Sequence, residues 1–176
     1  VAILMYLGDP DMGLLFATYL GYWLMGAAFI ATGMFASSLT SNVTVGFILG
    51  ALFCAVFAFA QELALFVPGR MGMGINSFAA FTHVISFSRG VVALGDVVYF
   101  LSIVAGMLYL NTFVLGRRHW AGGRIALSES PGLHMTLRIL AVAVILVSVN
   151  VLATRFNPRM DVTEERLTSV SEETEQ

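Results

Sequence analysis

The chain has 176 residues, of which 58% are hydrophobic and only 11% are charged, and its mean hydropathy is +0.86. Soluble domains are about half apolar and about a quarter charged, so this composition excludes an ordinary soluble domain and indicates an integral membrane protein. The net charge of -2, with nine basic residues that are all arginine, is too small to suggest a nucleic-acid partner.

The first eight residues, VAILMYLG, are apolar but too few to cross a bilayer. They also lack the basic flank and the cleavage site of a signal peptide. We expect them to be the end of a helix that begins in a longer chain.

Four apolar segments of membrane-spanning length follow in chain order. A hydrocarbon core about 30 Å thick needs about 20 helical residues. No charged residue occurs between Asp11 and Glu62, and the polar cluster SSLTSN divides this long stretch into two spans. The four predicted spans cover about residues 13–36, 43–66, 97–115 and 137–154.

Polar and turn-forming residues mark the ends of these segments. Pro68 and Gly69 end the second span. Asp96 is predicted to be the N-cap of the third span, which ends at the two arginines and the interfacial tryptophan of GRRHW. The fourth span contains one polar amide, Asn150.

Residues 67–95, between the second and third spans, are less hydrophobic. In NSFAAFTHVISFSRG, Asn76 or Ser77 would cap a short helix and Gly90 would end it. Its apolar face would consist of Phe78, Phe81 and Ile85. We predict that this helix lies in the membrane interface or enters the membrane partway.

The predicted fold class is therefore all-α. It is a polytopic membrane helix bundle of about four transmembrane helices and one interfacial or re-entrant helix, with a short polar C-terminal segment. Arginines in short loops favour the cytoplasm, and residues 116–138 carry four of them, whereas residues 67–95 carry two. We therefore predict that 116–138 is cytoplasmic and that the C-terminal segment is extracytoplasmic.

Small residues recur at every fourth position of the second span. In lipid, this spacing lets helix backbones approach closely, so the stripe is expected to pack against another helix or a second subunit. The members of this packing stripe are Gly46, Gly50, Cys54 and Ala58.

Glu62 follows the stripe and is the candidate intramembrane polar site. A carboxylate at the centre of a bilayer often marks a transport pathway. Glu62 also lies only six residues before Pro68, near the predicted outer interface, where a carboxylate can reach headgroups or cap a loop. Both interpretations remain open at this point.

No catalytic, cofactor or metal site is predicted. The histidines His83, His119 and His134 have no partner at ligand spacing, and Cys54 is alone. The sequence contains no nucleophile elbow, phosphate loop or HExxH motif.

Two stretches resemble a known family. YLGYWLMGAAFIATGMFASSLTSNVTVGFILG (Tyr19–Gly50) and SFSRGVVALGDVVYFLSIVAGMLYLN (Ser86–Asn111) are similar to the C-terminal half of the GldF-like permease of gliding-motility-type ABC-2 exporters. The matching features are YLG, the small-residue helix that ends in ASSLTSN, and SRGV followed by D-VVYFLS. The resemblance covers about residues 8–120.

This resemblance implies a fold and partners. Six spans form such a permease, and its last three would correspond to the first three predicted here, with an outside re-entrant or interfacial element between the last two. The family resides in the bacterial inner membrane. The implied partners are a cytoplasmic ABC ATPase subunit, a second permease copy or homologous subunit, and the lipid bilayer.

The remaining sequence resembles a second subunit. TLRILAVAVILVSVNVLATRFNPRMDVTEERLTSVSEET looks like the opening of the GldG-like auxiliary protein, with mild departures at Met160, Val162 and Val170. The chain would then be part of a fusion. Its implied divisions are the permease half at 1–120, a cytoplasmic linker at 121–135, a transmembrane anchor at 136–154 and the start of an extracytoplasmic domain at 155–176.

The leading functional hypothesis is the permease of an ATP-driven exporter. It would be a non-catalytic membrane subunit, because the sequence has no Walker motif and ATP hydrolysis would occur on the partner. The alternative is a membrane anchor or assembly scaffold that performs no transport. An intramembrane enzyme is disfavoured, since the spans contain no paired carboxylates or histidine-rich metal constellation.

Overall fold

The computed structural model describes residues 8, 11–67, 69–77, 79–120 and 131–163. These residues form helices together with two strands of three residues each, so the predicted all-α class is confirmed. The elements in chain order are α1 (Met12–Ser38), α2 (Val43–Ala58), α3 (Ala60–Phe66), α4 (Arg70–Ser77), α5 (Ala80–Ser88), β1 (Val91–Ala93), α6 (Leu94–Trp120), α7 (Pro131–Arg155) and β2 (Arg159–Asp161).

Within the described ranges, three helical segments are long and apolar enough to cross a membrane: Met12–Ser38, Leu94–Gly116 and Thr136–Arg155. They match three of the four predicted spans. The predicted span at 43–66 is instead divided between α2 and α3, which meet at Phe59 at an angle of 63°. This pair is either one broken span or a re-entrant loop.

α1 is the central helix of the bundle and packs against α2, α5 and α6. Its buried residues Leu24 and Ala28 contact a core formed with Val84 and Phe87 of α5 and Phe100 of α6. α7 packs mainly on α6 and leaves most of its apolar side chains exposed. Such a surface suits contact with lipid, because apolar side chains lose nothing in hydrocarbon.

The polar cluster between α1 and α2 separates the two helices as predicted. Asn42 is the N-cap of α2, and its Oδ1 atom accepts hydrogen bonds from the backbone N–H groups of Thr44 and Val45, at 2.9 and 3.3 Å. At the other end of α1, Asp11 caps the helix by accepting from the N–H of Leu14 at 2.9 Å.

The segment before α6 differs from the prediction in two respects. Asn76 and Ser77 do not cap its second helix but belong to α4, and α5 begins at Ala80 with no side-chain cap. The predicted apolar face is also not the buried one, because Phe81 is 55% exposed. A different face of α5 is buried against the small residues of α1, and it consists of Ala80, Val84 and Phe87. Phe78 lies outside the described residues.

Gly90 ends the region of α5 as predicted, with a backbone φ of +76° that residues with a Cβ atom rarely adopt. The chain then turns into β1, which pairs with β2 in an antiparallel ladder. The register aligns Val91 with Asp161, Val92 with Met160 and Ala93 with Arg159.

The ladder ties the segment after α7 to the rest of the bundle. The Val162 N–H donates to the Gly90 carbonyl at 3.0 Å, and the Leu94 N–H donates to the Pro158 carbonyl at 3.2 Å. These strands are absent from the sequence prediction. α7 itself begins at Pro131, inside the predicted linker, whose residues 121–130 lie outside the described part of the chain.

Candidate functional site

A polar cleft of about 470 Å³ lies at the end of the bundle where α5, β1, β2 and the start of α6 meet. Its walls are built from residues that lie far apart in the sequence and that the strand ladder brings together. The lining residues are Ile85, Ser86, Arg89, Val91, Ala93, Asp96, Asn157, Arg159 and Asp161.

One wall of the cleft is fixed by a contact between α5 and α6. The Nδ1 atom of His83 lies 2.7 Å from Oδ1 of Asp96, at a distance typical of a charge-assisted hydrogen bond. The imidazole stacks on the ring of Tyr99 with centroids 3.8 Å apart, and it meets Phe100 edge-on. The pair is partly shielded, since the His83 and Asp96 side chains are 18% and 13% exposed.

Asp96 therefore has a different role from the predicted one. α6 begins at Leu94, which places Asp96 in its first turn and not at the N-cap. The first backbone N–H groups of α6 are satisfied from the other side of the ladder, by Pro158 and by Asn157, whose Oδ1 atom accepts from the Gly95 N–H at 3.0 Å. The Asp96 carboxylate is therefore not needed as a cap and contacts His83 instead.

Two arginines and two aspartates line the same cleft. Asp96 is engaged by His83, and Asp161 accepts hydrogen bonds from the backbone N–H and the hydroxyl of Thr163. Arg89, which follows α5, and Arg159, which begins β2, are both exposed. Neither guanidinium makes an ion pair with another residue in the described part of the chain. The two guanidinium groups are therefore available to a ligand, while both carboxylates keep their negative charge, because a hydrogen bond from a neutral group does not neutralise a carboxylate.

Two glycines allow residues 162 and 163 to approach the bundle closely. At Gly13, in the first turn of α1, an added Cβ atom would overlap the carbonyl oxygen of Val162. At Gly90, an added Cβ atom would overlap the Cγ2 atom of Thr163. The sequence prediction did not assign Gly13 any role, because a single glycine in a membrane helix gives no signal of a distant contact.

The predicted packing stripe lies away from the cleft, on the face of α2 that meets α1. Gly46 and Gly50 are buried, and an added Cβ atom at Gly50 would lie 3.7 Å from the Cα atom of Gly33. The Cys54 thiol lies 3.7 Å from the Phe29 carbonyl oxygen. Ala58, the last residue of α2, is half-buried.

Glu62 is exposed in the first turn of α3, just beyond the bend, and does not line the cleft. Its neighbour Gln61 has a buried Oε1 atom without a hydrogen-bond partner. The two interpretations of Glu62 stay open.

Among the residues that the structure describes, no three His, Cys, Asp or Glu side chains converge as metal ligands. His83 is engaged by Asp96, and the side chains of His119 and His134 lie outside the described ones.

A second polar contact joins two of the long helices. The Asn150 Nδ2 atom of α7 donates to the Ser102 hydroxyl of α6 at 2.7 Å and to its own helix at the Leu146 carbonyl, at 2.9 Å. Ser102 in turn donates to the Tyr99 carbonyl. The single amide noted in the fourth predicted span therefore serves helix packing.

Comparison of the chain with protein-family models, with curated proteins and with solved structures finds no match. Its function must therefore be inferred from its own residues and their arrangement.

Proposed function

We propose that the chain forms a membrane-spanning permease subunit of an ATP-driven ABC-2-type exporter of the gliding-motility or envelope type. The observation that carries the proposal is the course of the polypeptide chain between α1 and α6. α2 and α3 are bent by 63°, α4 packs on α3, and α5 returns to α1 beside the start of α6. The resemblance of the sequence implies a re-entrant or interfacial element at this point.

In this proposal α2 and α3 together form the second of four spans. The protein would lie in the bacterial inner membrane with residues 116–138 in the cytoplasm and the polar cleft outside. α1 and α6 both begin at the end of the bundle that holds the cleft, and α7 ends there, so α1 and α6 run in the same direction and α7 runs in the opposite one. Such a topology requires this arrangement when α2 and α3 form the span between α1 and α6.

The subunit would not hydrolyse ATP itself. A separate cytoplasmic ABC ATPase would dock at the end opposite the cleft, and a second permease copy or a homologous subunit would complete the pathway. α1 and α2 meet through Gly46 and Gly50, where small residues leave little interlocking of side chains. We expect this contact to permit the helix movement that ATPase closure would drive.

The test is to purify the complete protein with an affinity tag from its native membrane. We expect an ABC ATPase to co-purify and to hydrolyse ATP in an orthovanadate-sensitive manner. Labels at Ser41 and Gly116, at the end opposite the cleft, should change their separation when ATP is added. An ATPase variant without its Walker lysine is the control. A complex that contains no ATPase would contradict the proposal.

A second candidate function is a membrane anchor or assembly scaffold for an extracytoplasmic domain, with no transport of its own. The observation that favours it is the strand ladder, because Asn157 and Pro158 cap α6 and residues 162 and 163 pack at Gly13 and Gly90. The chain that leaves α7 is thereby held in a fixed position. In this case no ATPase should co-purify, and disrupting the ladder should impair assembly alone.

A further inference from the structure

The polar cleft has the features of an anion site. Arg89 and Arg159 line one cavity from two different elements, and neither makes an ion pair with another described residue. The two carboxylates of the cleft remain charged, but their oxygens are held in hydrogen bonds with His83 and Thr163. An anion that enters therefore meets two available guanidinium groups, which bind phosphate oxygens in a planar and often bidentate geometry.

The cleft also lies at the level of the bundle where the membrane-spanning helices begin or end. The membrane-spanning segment of α6 begins at Leu94, next to β1, and that of α7 ends at Arg155, four residues before Arg159. Phe156, the residue before the lining residue Asn157, is 73% exposed, and Met160, on the opposite face of the ladder from Arg159, is 69% exposed. Charged lining residues next to exposed apolar ones are expected where headgroups meet hydrocarbon.

The size of the cleft limits its ligand. A volume of about 470 Å³ is sufficient for a polar headgroup. Its lining includes Ser86 and Asn157 as further polar groups. Its few apolar lining residues belong to α5 and β1. The acyl chains of a bound lipid would therefore remain outside, against exposed side chains such as Phe81 and Phe156.

We propose that the cleft binds the phosphate group of a phospholipid headgroup, held by Arg89 and Arg159 at the membrane interface. The same phosphate chemistry is available from free inorganic phosphate, and the position of the cleft favours the lipid. The proposal requires that the helices lie in a membrane, but it does not depend on transport or on an ATPase.

The experiment uses the complete protein, delipidated in detergent, and native mass spectrometry to measure binding of phosphatidylglycerol. The first comparison is with diacylglycerol of the same acyl chains, which lacks the phosphate. The second is competition by inorganic phosphate. We expect phosphatidylglycerol to bind at least tenfold more tightly than diacylglycerol, by the strength of charge-assisted hydrogen bonds, and millimolar phosphate not to displace it.

Two variants locate the site. Arg89→Gln and Arg159→Gln should each weaken phosphatidylglycerol binding about tenfold, because each removes one guanidinium and keeps a polar, uncharged side chain in its place. Arg155→Gln is the matched control: Arg155 is exposed at the end of α7 and does not line the cleft, so its loss should leave binding unchanged.

Equal binding of phosphatidylglycerol and diacylglycerol would overturn the proposal, even if a variant failed to fold, because that comparison uses the unmodified protein. Equal weakening by all three arginine substitutions would also overturn it, since it would indicate a general surface effect. Displacement of the lipid by inorganic phosphate would assign the cleft to soluble phosphate and reject the lipid as its ligand.

Discussion

The Nδ1 atom of His83 lies 2.7 Å from Oδ1 of Asp96, and this contact joins α5 to the first turn of α6. Ser86 of α5 and Arg89, the C-cap of that helix, follow His83 at intervals of three residues, and both line the cleft. Residues at this spacing share one helix face. The His83–Asp96 contact therefore sets the position of that face relative to β1 and β2.

Replacing Asp96 with alanine should destabilise the protein, because it leaves the partly shielded His83 ring nitrogen without its acceptor. We expect a loss of about 1–3 kcal/mol in the free energy of unfolding, measured by denaturation in detergent micelles. Asp96→Asn, which retains an acceptor oxygen, should lose less. Glu62→Gln is a control at an exposed carboxylate, and equal stability of Asp96→Ala and wild type would contradict the role of the pair.

A second prediction concerns the approach of the chain after α7 to α1. Gly13→Ala places a methyl group against the Val162 carbonyl, so we expect a loss of about 1–3 kcal/mol, as for other overpacked sites. Gly26→Ala is the matched control, because it lies on the same helix and an added Cβ atom there meets nothing within 4 Å. If both variants unfold at the same temperature, residues 162 and 163 do not pack on α1.

A third prediction concerns the hydrogen bond between Asn150 and Ser102. Polar contacts between membrane helices contribute about 0.6 kcal/mol on average and up to about 2 kcal/mol. Asn150→Leu and Ser102→Ala should each lower stability by an amount in this range, and the double variant should lose no more than the larger single effect. Ser148→Ala, at an exposed position of α7, should have no effect. Additive losses would show that the two side chains do not interact.

The proposed orientation is tested by reporter fusion. Alkaline phosphatase fused after Gln176 should be active, because the distribution of arginines predicts that the C-terminal segment is outside and the enzyme folds only there. Green fluorescent protein fused at the same position should be dark if it is exported unfolded. A fluorescent green fluorescent protein fusion together with an inactive phosphatase fusion would show the opposite topology. The cleft would then face the cytoplasm.

The long helices were predictable because their signals are local. Uninterrupted apolar windows define α1, α6 and α7, and the side chain of Asn42 and the positive φ of Gly90 act within a few residues of their own positions. Such signals depend on neighbouring residues only, so a single sequence contains them in full.

The cleft was not predictable, since its parts are joined by contacts between distant residues. Gly95 and Asn157 are 62 positions apart, and β1 and β2 have only three residues each, too few for an alternating pattern. The bend at Phe59 also lacked a signal, because residues 51–67 contain no glycine or proline to mark it.

The ladder between β1 and β2 is the basis of the cleft and of the fixed exit from α7, and a designed disulfide tests it most directly. In a Cys54→Ser background, Val92→Cys and Met160→Cys are directly opposed, and antiparallel partners lie about 4.5–5.5 Å apart between Cα atoms, within the range of disulfides. The control pairs Val91→Cys with Met160→Cys, whose side chains project from opposite faces of the ladder.

A protease site inserted between residues 121 and 130 allows the cross-link to be read from fragments after cleavage. If the ladder forms, mild oxidation should hold the two fragments together for the Val92–Met160 pair until a reductant is added, and it should not do so for the Val91–Met160 control. Separate fragments for both pairs, in protein that remains folded, would contradict the ladder and with it the cleft.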